Sequence, residues 1–314
     1  MLAEQDFDYI RDLVRDRAAI VLEPGKEYLA VTRLDPVIRR AGLGSVSELV
    51  ATLREDDDPE LSEQVVDALT TNETTFFRDV YPFESLRTHV LPDLIERKRL
   101  SRSLFIWSAG CSSGQEPYSV AMLIREDFPE LADWQVTILG TDVSVAMLER
   151  ARAGRYGQIE VNRGLPADLL VRYFRRDGLG WELDASVREM VRFRHQNLMD
   201  PWPSLPPMDL VLMRNVMIYF DVASKQEILT RVHDVLAPHG YLLLGTSETT
   251  LHLDDSFRRH AVGPTGWYRR RRGTSVGAVE PRMGPMMGPR TGPKIGQGEG
   301  GTTWSSARTT SVRS

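Results

Sequence analysis

The sequence predicts an all-α amino-terminal domain over residues 1–70 and an α/β domain over residues 71–272 built on an open parallel sheet, followed by a tail over 273–314. Three observations carry this. Residues 4 to 70 show helical periodicity and nothing that alternates like a strand. From residue 103, short apolar runs alternate with amphipathic stretches, the pattern of a parallel sheet covered on both faces. After Gly273, Gly, Pro, Ser and Thr dominate, leaving too little apolar surface to offset ordering entropy, so that segment is expected to be disordered.

The elements follow in order. "DFDYIRDLVRDRAAIVL" sets Phe7, Ile10, Leu13 and Val14 on one helical face, and "KEYLAVTRLDPVIRRAGL" continues with a second amphipathic segment. Ser45 and Glu48 have the spacing of a capping box opening a short helix, and "PELSEQVVDAL" supplies another. "SLFIW", "QVTILG", "DLVLM" and "GYLLLG" read as buried strands; "EPYSVAMLIRE", "SVAMLERARAG" and "SKQEILTRVHDVLA" read as the helices between them. The last is expected over 224–237, capped by Ser224 and Glu227 and ended by Pro238. Residues 175–197 carry two short strand-like pieces around polar turns, expected as a small antiparallel insertion rather than as a member of the main sheet.

Bulk properties narrow the function. The chain has 314 residues, with 41% apolar and 26% charged residues, ordinary for a soluble globular protein. A formal charge of -5 argues against a general nucleic-acid binder. Cys111 is the only cysteine, which excludes an intrachain disulfide and any multi-cysteine metal site. The acidic, amphipathic start does not read as a secretory signal, and no run approaches the roughly 20 apolar residues of a membrane span. A cytoplasmic location is expected.

"WSAGCSSGQEPYSVAM" (107–122) is the most informative stretch. Gly110 and Gly114 allow tight turns and leave room for a ligand against the backbone, and Pro117 suits a first helical turn. A dinucleotide site requires Gly-x-Gly-x-x-Gly and free helix N-terminal amides. Here the first glycine pair is missing and Glu116 stands where phosphate charge would lie, so a ligand with a cationic or hydroxyl-bearing face is favoured. Asp142, at the tip of the next strand, can accept from ribose hydroxyls, or it can cap the helix that Ser144 is equally able to cap. Asn197 and Leu198 pair an amide with an apolar residue, as adenine recognition requires, and Arg214 and Asn215 sit at the tip of a buried strand. For "TNETTFFRD" (71–79) a capped loop with two core phenylalanines is the plain alternative to a polar site segment.

Taken together, "TNETTFFRD", "WSAGCSSGQEPYSVAM", "GTDVS", "DLVLMRNVMIYFD" and "GYLLLGTSET" resemble, in order and spacing, the CheR-type chemoreceptor glutamate methyltransferases, and residues 27–54 resemble their amino-terminal domain. The resemblance spans about residues 5–272. It implies a Rossmann-like domain using S-adenosylmethionine, with no metal, and a small antiparallel β insertion. By motif, Asn72, Thr74, Arg78, Glu116, Asp142, Asn197, Leu198, Arg214 and Asn215 are expected to bind the donor. Arg78 suits the donor's carboxylate; Glu116 and Asp142 suit its amino group and ribose, in an order left open.

The reaction implied is in-line methyl transfer to a glutamate oxygen on the cytoplasmic helical bundle of a chemoreceptor, giving a methyl ester and S-adenosylhomocysteine. Glutamate, with a reference pKa near 4.3, is already ionised at neutral pH, so alignment and desolvation matter more than a base. Arg97 and Arg99 are candidates for steering the acceptor, and Tyr219 and Tyr241 for bordering the methyl group. Arg33, Arg39 and Arg40 are candidates for a basic patch facing an acidic receptor. The insertion loop "RRDGLGWELDASVRE" is shorter than in many family members that bind a receptor-tail pentapeptide through it, so no such tether is expected. A monomer is expected, without nucleic-acid or membrane partners. A nucleic-acid amino-methyltransferase would carry Asn/Asp-Pro-Pro-Tyr where "MRNVMIYF" stands; a non-catalytic donor-binding adapter remains as the alternative reading.

Overall fold

A computed structural model describes residues 2–55 and 58–271, all within one compact unit, Met1–Arg272. The tail expected over 273–314 lies outside the described residues. Four helices open the chain: α1 (Glu4–Ala18), α2 (Glu27–Arg40), α3 (Val46–Glu55) and α4 (Pro59–Leu69). Each buries the stripe that its periodicity marks, and Phe7, Ile10, Val14, Leu34, Leu49 and Val65 join one core. Ser45 Oγ accepts the Glu48 N–H at 3.1 Å, while the Glu48 carboxylate takes the Gly44 N–H instead of completing the reciprocal box.

A helical stretch follows: α5 (Tyr81–Ser85), one π-turn over Leu86–Val90, and α6 (Leu91–Lys98). The remaining elements are β1 (Ser103–Ala109), α7 (Gln115–Asp127), β2 (Gln135–Asp142), α8 (Val145–Ala153), β3 (Arg155–Gly157), α9 (Gln158–Asn162), α10 (Ala167–Tyr173), β4 (Phe174–Asp177), β5 (Gly180–Leu183) and α11 (Ala185–Arg188). Then come β6 (Val191–His195), β7 (Met208–Met213), α12 (Val222–Val235), β8 (Leu236–Leu244), β9 (Phe257–Val262) and β10 (Thr265–Arg270). The main sheet runs β6-β2-β1-β7-β8-β10-β9, parallel through β8 and closed by an antiparallel hairpin. This is a Rossmann-like sheet. Strand order reverses between β1 and β7, so a crevice opens beyond their carboxyl ends.

The structure corrects several sequence expectations. The antiparallel insertion is β3-β5-β4, beginning at Arg155. Val191–His195 is instead a parallel edge strand of the main sheet, because its register on β2 places Phe193 against Gly140, where a Cβ would lie 2.7 Å from the ring. Helix α12 starts at Val222, capped by Asp221, whose carboxylate accepts the Ser224 N–H at 2.8 Å; Ser224 is not the cap. Pro238 lies inside β8, near its irregular start. The β9–β10 hairpin was not expected, since "FRRHAV" and "TGWYRR" are too charged for the apolar-run pattern of the inner strands. Among the described residues no helix is long and apolar enough to cross a membrane.

Candidate functional site

The crevice at the switch point is a cavity of about 1080 Å³, counting its open mouth. The loop after β1 forms its floor. Gly110 and Cys111 donate their N–H groups to Thr141 O at 2.8 and 2.9 Å, folding the loop over the end of β2. Gly110 holds φ at +70°, and a Cβ there would lie 2.4 Å from Val216 Cγ2, so glycine is required. Ser112 also has a positive φ, +49°, and its Oγ donates to Asn72 O at 2.8 Å, tying the 71–79 segment to the floor.

Asp142 ends β2 in the cavity wall. Ser144 caps α8, leaving Asp142 for other work: one of its oxygens accepts Ser112 N–H at 2.7 Å and the other Ser144 N–H at 2.9 Å. Burial raises its pKa, opposed by those N–H groups; nearby Asp67 raises it further. Each oxygen keeps a lone pair for an incoming hydroxyl.

Glu116, in the first turn of α7, accepts from Ser108 Oγ at 2.8 Å and from Arg214 Nη1 at 3.0 Å. The side chain of Arg214 is only 2% exposed, and its Nη2 donates to Asp79 Oδ2 at 2.7 Å and to Arg78 O at 2.8 Å. One guanidinium thus fastens the tip of β7 to the start of α7 and to the 71–79 segment. Asn215 follows at φ +59°, with a buried Oδ1 that has no hydrogen-bond partner. Arg78 is half-buried; its Nη1 donates to Glu73 O at 3.0 Å. The Glu73 carboxyl is held below its ordinary range by a hydrogen bond and ion pair with Arg163.

Of the expected donor-binding residues, Asn72, Thr74, Arg78, Glu116, Asp142, Asn197, Leu198, Arg214 and Asn215 all line this one cavity, with Tyr219. Asn197 does so with its amide engaged: Nδ2 donates to Arg17 O at 2.7 Å and Oδ1 accepts Met199 N–H at 3.0 Å. Its side chain ties α1 to the site, and Oδ1 keeps one lone pair. Arg97, Arg99 and Tyr241 are not brought there. Arg97 pairs with Asp93 at 2.7 Å, and Tyr241 OH donates to the same Asp93 at 2.9 Å, beside the start of β8 and away from the crevice. Arg99 lies in the turn after α6. Tyr241 sits within β8, short of the carboxyl end where the crevice opens.

The arginine patch also separates. Arg33 donates to Leu69 O at 2.9 Å and to Thr71 Oγ1 at 3.2 Å, closing the end of α4, and lines a groove that adjoins the cavity at Ile20, Thr71, Ile218 and Tyr219. Arg39 pairs with Asp35, and Arg40 donates to Pro36 O and lines a different hollow from Arg33.

Sequence reasoning missed Glu248. Its carboxylate gathers the N–H groups of Asn215, Val216, Ile218 and Gly245, fixing the loop that carries Asn215. An acid just beyond a buried strand, in "LLLGTSE", was the available signal. Ala18 and Ile20, from the end of α1 and just after it, also form wall. Nothing in the helical pattern marked them, because their partners are distant in sequence.

The donor set fits S-adenosylmethionine. Two carboxylates and one half-buried arginine suit a ligand with hydroxyls, an ammonium and a carboxylate, the orphaned Asn215 Oδ1 lacks a donor, and the Gly110 cradle leaves space against the backbone. The comparisons agree. Residues 72–263 match the family model described as the CheR methyltransferase SAM binding domain, and residues 5–70 the CheR methyltransferase all-alpha domain. Chemotaxis protein methyltransferase 1 of Pseudomonas aeruginosa is 43% identical over 86% of this chain and 99% of its own length. A chemotaxis protein methyltransferase of Pseudomonas putida is 41% identical over 82% and 95%, and one of Vibrio parahaemolyticus 39% identical over 84% and 96%. With both domain models matched in order around the cavity just described, the chain belongs to the CheR family of chemotaxis methyltransferases.

Proposed function

We propose that Asp142, Glu116, Arg78 and Asn215 hold the methyl donor in the switch-point cavity, and that the acceptor enters through the groove beside Tyr219. The chain is a protein-glutamate O-methyltransferase of chemotaxis adaptation: it esterifies glutamate side chains on the cytoplasmic region of chemoreceptors and releases S-adenosylhomocysteine. The observation that carries the site reading is the convergence of two carboxylates and an arginine on one cavity at the strand-order reversal.

S-adenosylmethionine supplies, when bound, a methyl group on a positively charged sulfur. The chain's own residues orient it. Asp142 would accept the ribose hydroxyls, the Arg78 guanidinium would meet the methionine carboxylate, and Glu116, held by Ser108 and Arg214, would meet the ammonium. Asn215 Oδ1 takes a further donor. The cavity lining includes no histidine, in keeping with an acceptor that arrives ionised and requires no base. Tyr219 borders both cavity and groove, which suits a side chain that walls the transfer from water. Lys26 and Arg33 on the groove suit an acidic acceptor helix, with exposed Arg39 and Arg40 as outlying contacts.

The reading divides the chain into a helical domain over 1–70, a catalytic domain over 71–272 and a tail over 273–314. It has the protein acting as a monomer, without a pentapeptide tether. Incubation with methyl-labelled donor and a receptor cytoplasmic fragment tests the function. Alkali-labile label released as methanol is expected; label that survives alkali would mean that an amine accepts the methyl group.

A further inference from the structure

The net charge of -5 conceals a strong asymmetry. Residues 256–314 hold 11 of the chain's 39 basic residues and only 2 of its 44 acidic ones. The described part of this segment is the β9–β10 hairpin, and it contributes most of a hollow of about 1450 Å³, counting its open side. The lining is Arg97, Arg258, Arg269, Arg270 and Arg271 with His239, His260 and Pro238, and contains no acid. It lies by the first half of β8, near Tyr241, whereas the donor cavity lies by the β8 end, near Gly245; four residue steps of strand separate them, roughly 13 Å.

Apart from Arg97, which pairs with Asp93, no guanidinium of the lining is neutralised among the described residues, and three are held by uncharged groups. Arg269 donates to His239 O and to Tyr241 OH and stacks 4.7 Å over the Tyr241 ring. Arg270 donates to Leu236 O at 3.0 Å, and Arg271 to Phe257 O at 3.2 Å. Among the described residues none of Arg258, Arg269, Arg270 and Arg271 has a carboxylate at salt-bridge distance. The nearby acids are committed: Asp93 to Arg97 and Tyr241, Asp209 to Lys98, His239 and the Phe105 N–H. Arg258 and Arg269 stand directly opposite each other across the hairpin, an arrangement of like charges that destabilises a strand pair unless an anion lies between them. Burial, then Arg269 and Arg258, hold the His260 imidazolium below its ordinary pKa, in keeping with an excess of positive charge. Residues 272–314 add six basic residues against two acidic ones, so the sequence beyond the hairpin carries no net negative charge.

We propose that this hollow is a second ligand site, separate from the donor cavity, for a small compound carrying several phosphate charges. Guanidiniums preorganised by backbone carbonyls and an aromatic ring match phosphate oxygens better than a diffuse acidic surface, because the fork geometry is already set. Concavity favours a compact anion over a flat membrane face.

The test is calorimetry with tripolyphosphate, in the presence of saturating adenosylhomocysteine so that the donor cavity is closed to it. One site per chain is expected, with affinity falling about tenfold for each of Arg258→Ala and Arg271→Ala, and further for Arg258→Glu. Both arginines are exposed, and unchanged adenosylhomocysteine affinity verifies that the variants are folded. Absence of binding, equal affinity in the variants, or binding confined to phosphatidylglycerol vesicles or to an oligonucleotide would each overturn the proposal.

Discussion

Arg214 Nη1 lies 3.0 Å from Glu116 Oε2, and this pair is nearly sealed from water, with side chains 2% and 12% exposed. Together with the Asp79 contact on the same guanidinium, it joins the tip of β7, the start of α7 and the 71–79 segment, which Ser112 and Ser119 also tie down. Removing the cation strands a buried carboxylate. Arg214→Met is therefore expected to destabilise the protein by about 3–5 kcal/mol in urea unfolding. A change below about 1 kcal/mol, the worth of an exposed pair, would show the link to be incidental. Arg214→Lys should recover part of the loss, since one ammonium cannot span both acids.

Asp142 gives a prediction with a defined sign. Its folded pKa is raised above its ordinary value of 3.8, so the folded chain holds the proton more tightly than the unfolded chain does. This group's contribution to stability therefore falls as pH rises from about 3.8 through the raised value. Donor affinity runs the other way. The ionised form receives the ribose hydroxyls best, so adenosylhomocysteine binding should weaken as pH drops through that same window. At neutral pH, Asp142→Ala is expected to weaken binding by about 100-fold, the loss of two hydrogen bonds to a charged group. Unchanged affinity in a calorimetric titration would remove Asp142 from the site.

How much of this was legible beforehand depended on where the determining contacts lie. Residues 107–122 betrayed the site because a glycine cradle and an inward acid are local features. The parallel strands were legible as apolar runs, and β9 and β10 were not, because one edge of that hairpin faces water and tolerates arginine. The antiparallel insertion was recognisable in kind but misplaced, since β3 comes from the turn after α8 and pairs across a gap in sequence. Arg97 and Tyr241 misled because one lies in the last turn of α6 and the other within β8, short of the carboxyl ends where the crevice opens. Glu248 was visible as an acid beyond a strand, but its role was not, because three of its four partners are backbone N–H groups some 30 residues earlier.

Glu248→Ala leaves the N–H groups of Asn215, Val216, Ile218 and Gly245 without their shared acceptor. A loss of about 3 kcal/mol or more is expected in thermal unfolding, with donor affinity falling alongside as Asn215 drifts. Glu248→Gln should fall between, its NH₂ facing donors that need an oxygen. A variant that melts like the parent would show that the loop holds its shape without the carboxylate.

Gly110→Ala combines a positive φ with a methyl group 2.4 Å from Val216 Cγ2. The backbone term alone is about 1–2 kcal/mol, and relieving the clash requires moving the loop that underlies the donor. Donor affinity is expected to fall by at least about tenfold, while Gly178→Ala, open to solvent at a similar φ of +56°, should leave it unchanged. Equal effects at the two positions would point to general destabilisation rather than to the cradle.

The central claim, that the cavity at the β1–β7 reversal seats the methyl donor, is tested most directly by a crystal structure of the protein with adenosylhomocysteine. The account predicts ligand density in that cavity, with the ribose hydroxyls within hydrogen-bond distance of Asp142 and the carboxylate beside Arg78. Density elsewhere, or a ligand in the cavity that touches neither residue, would contradict it.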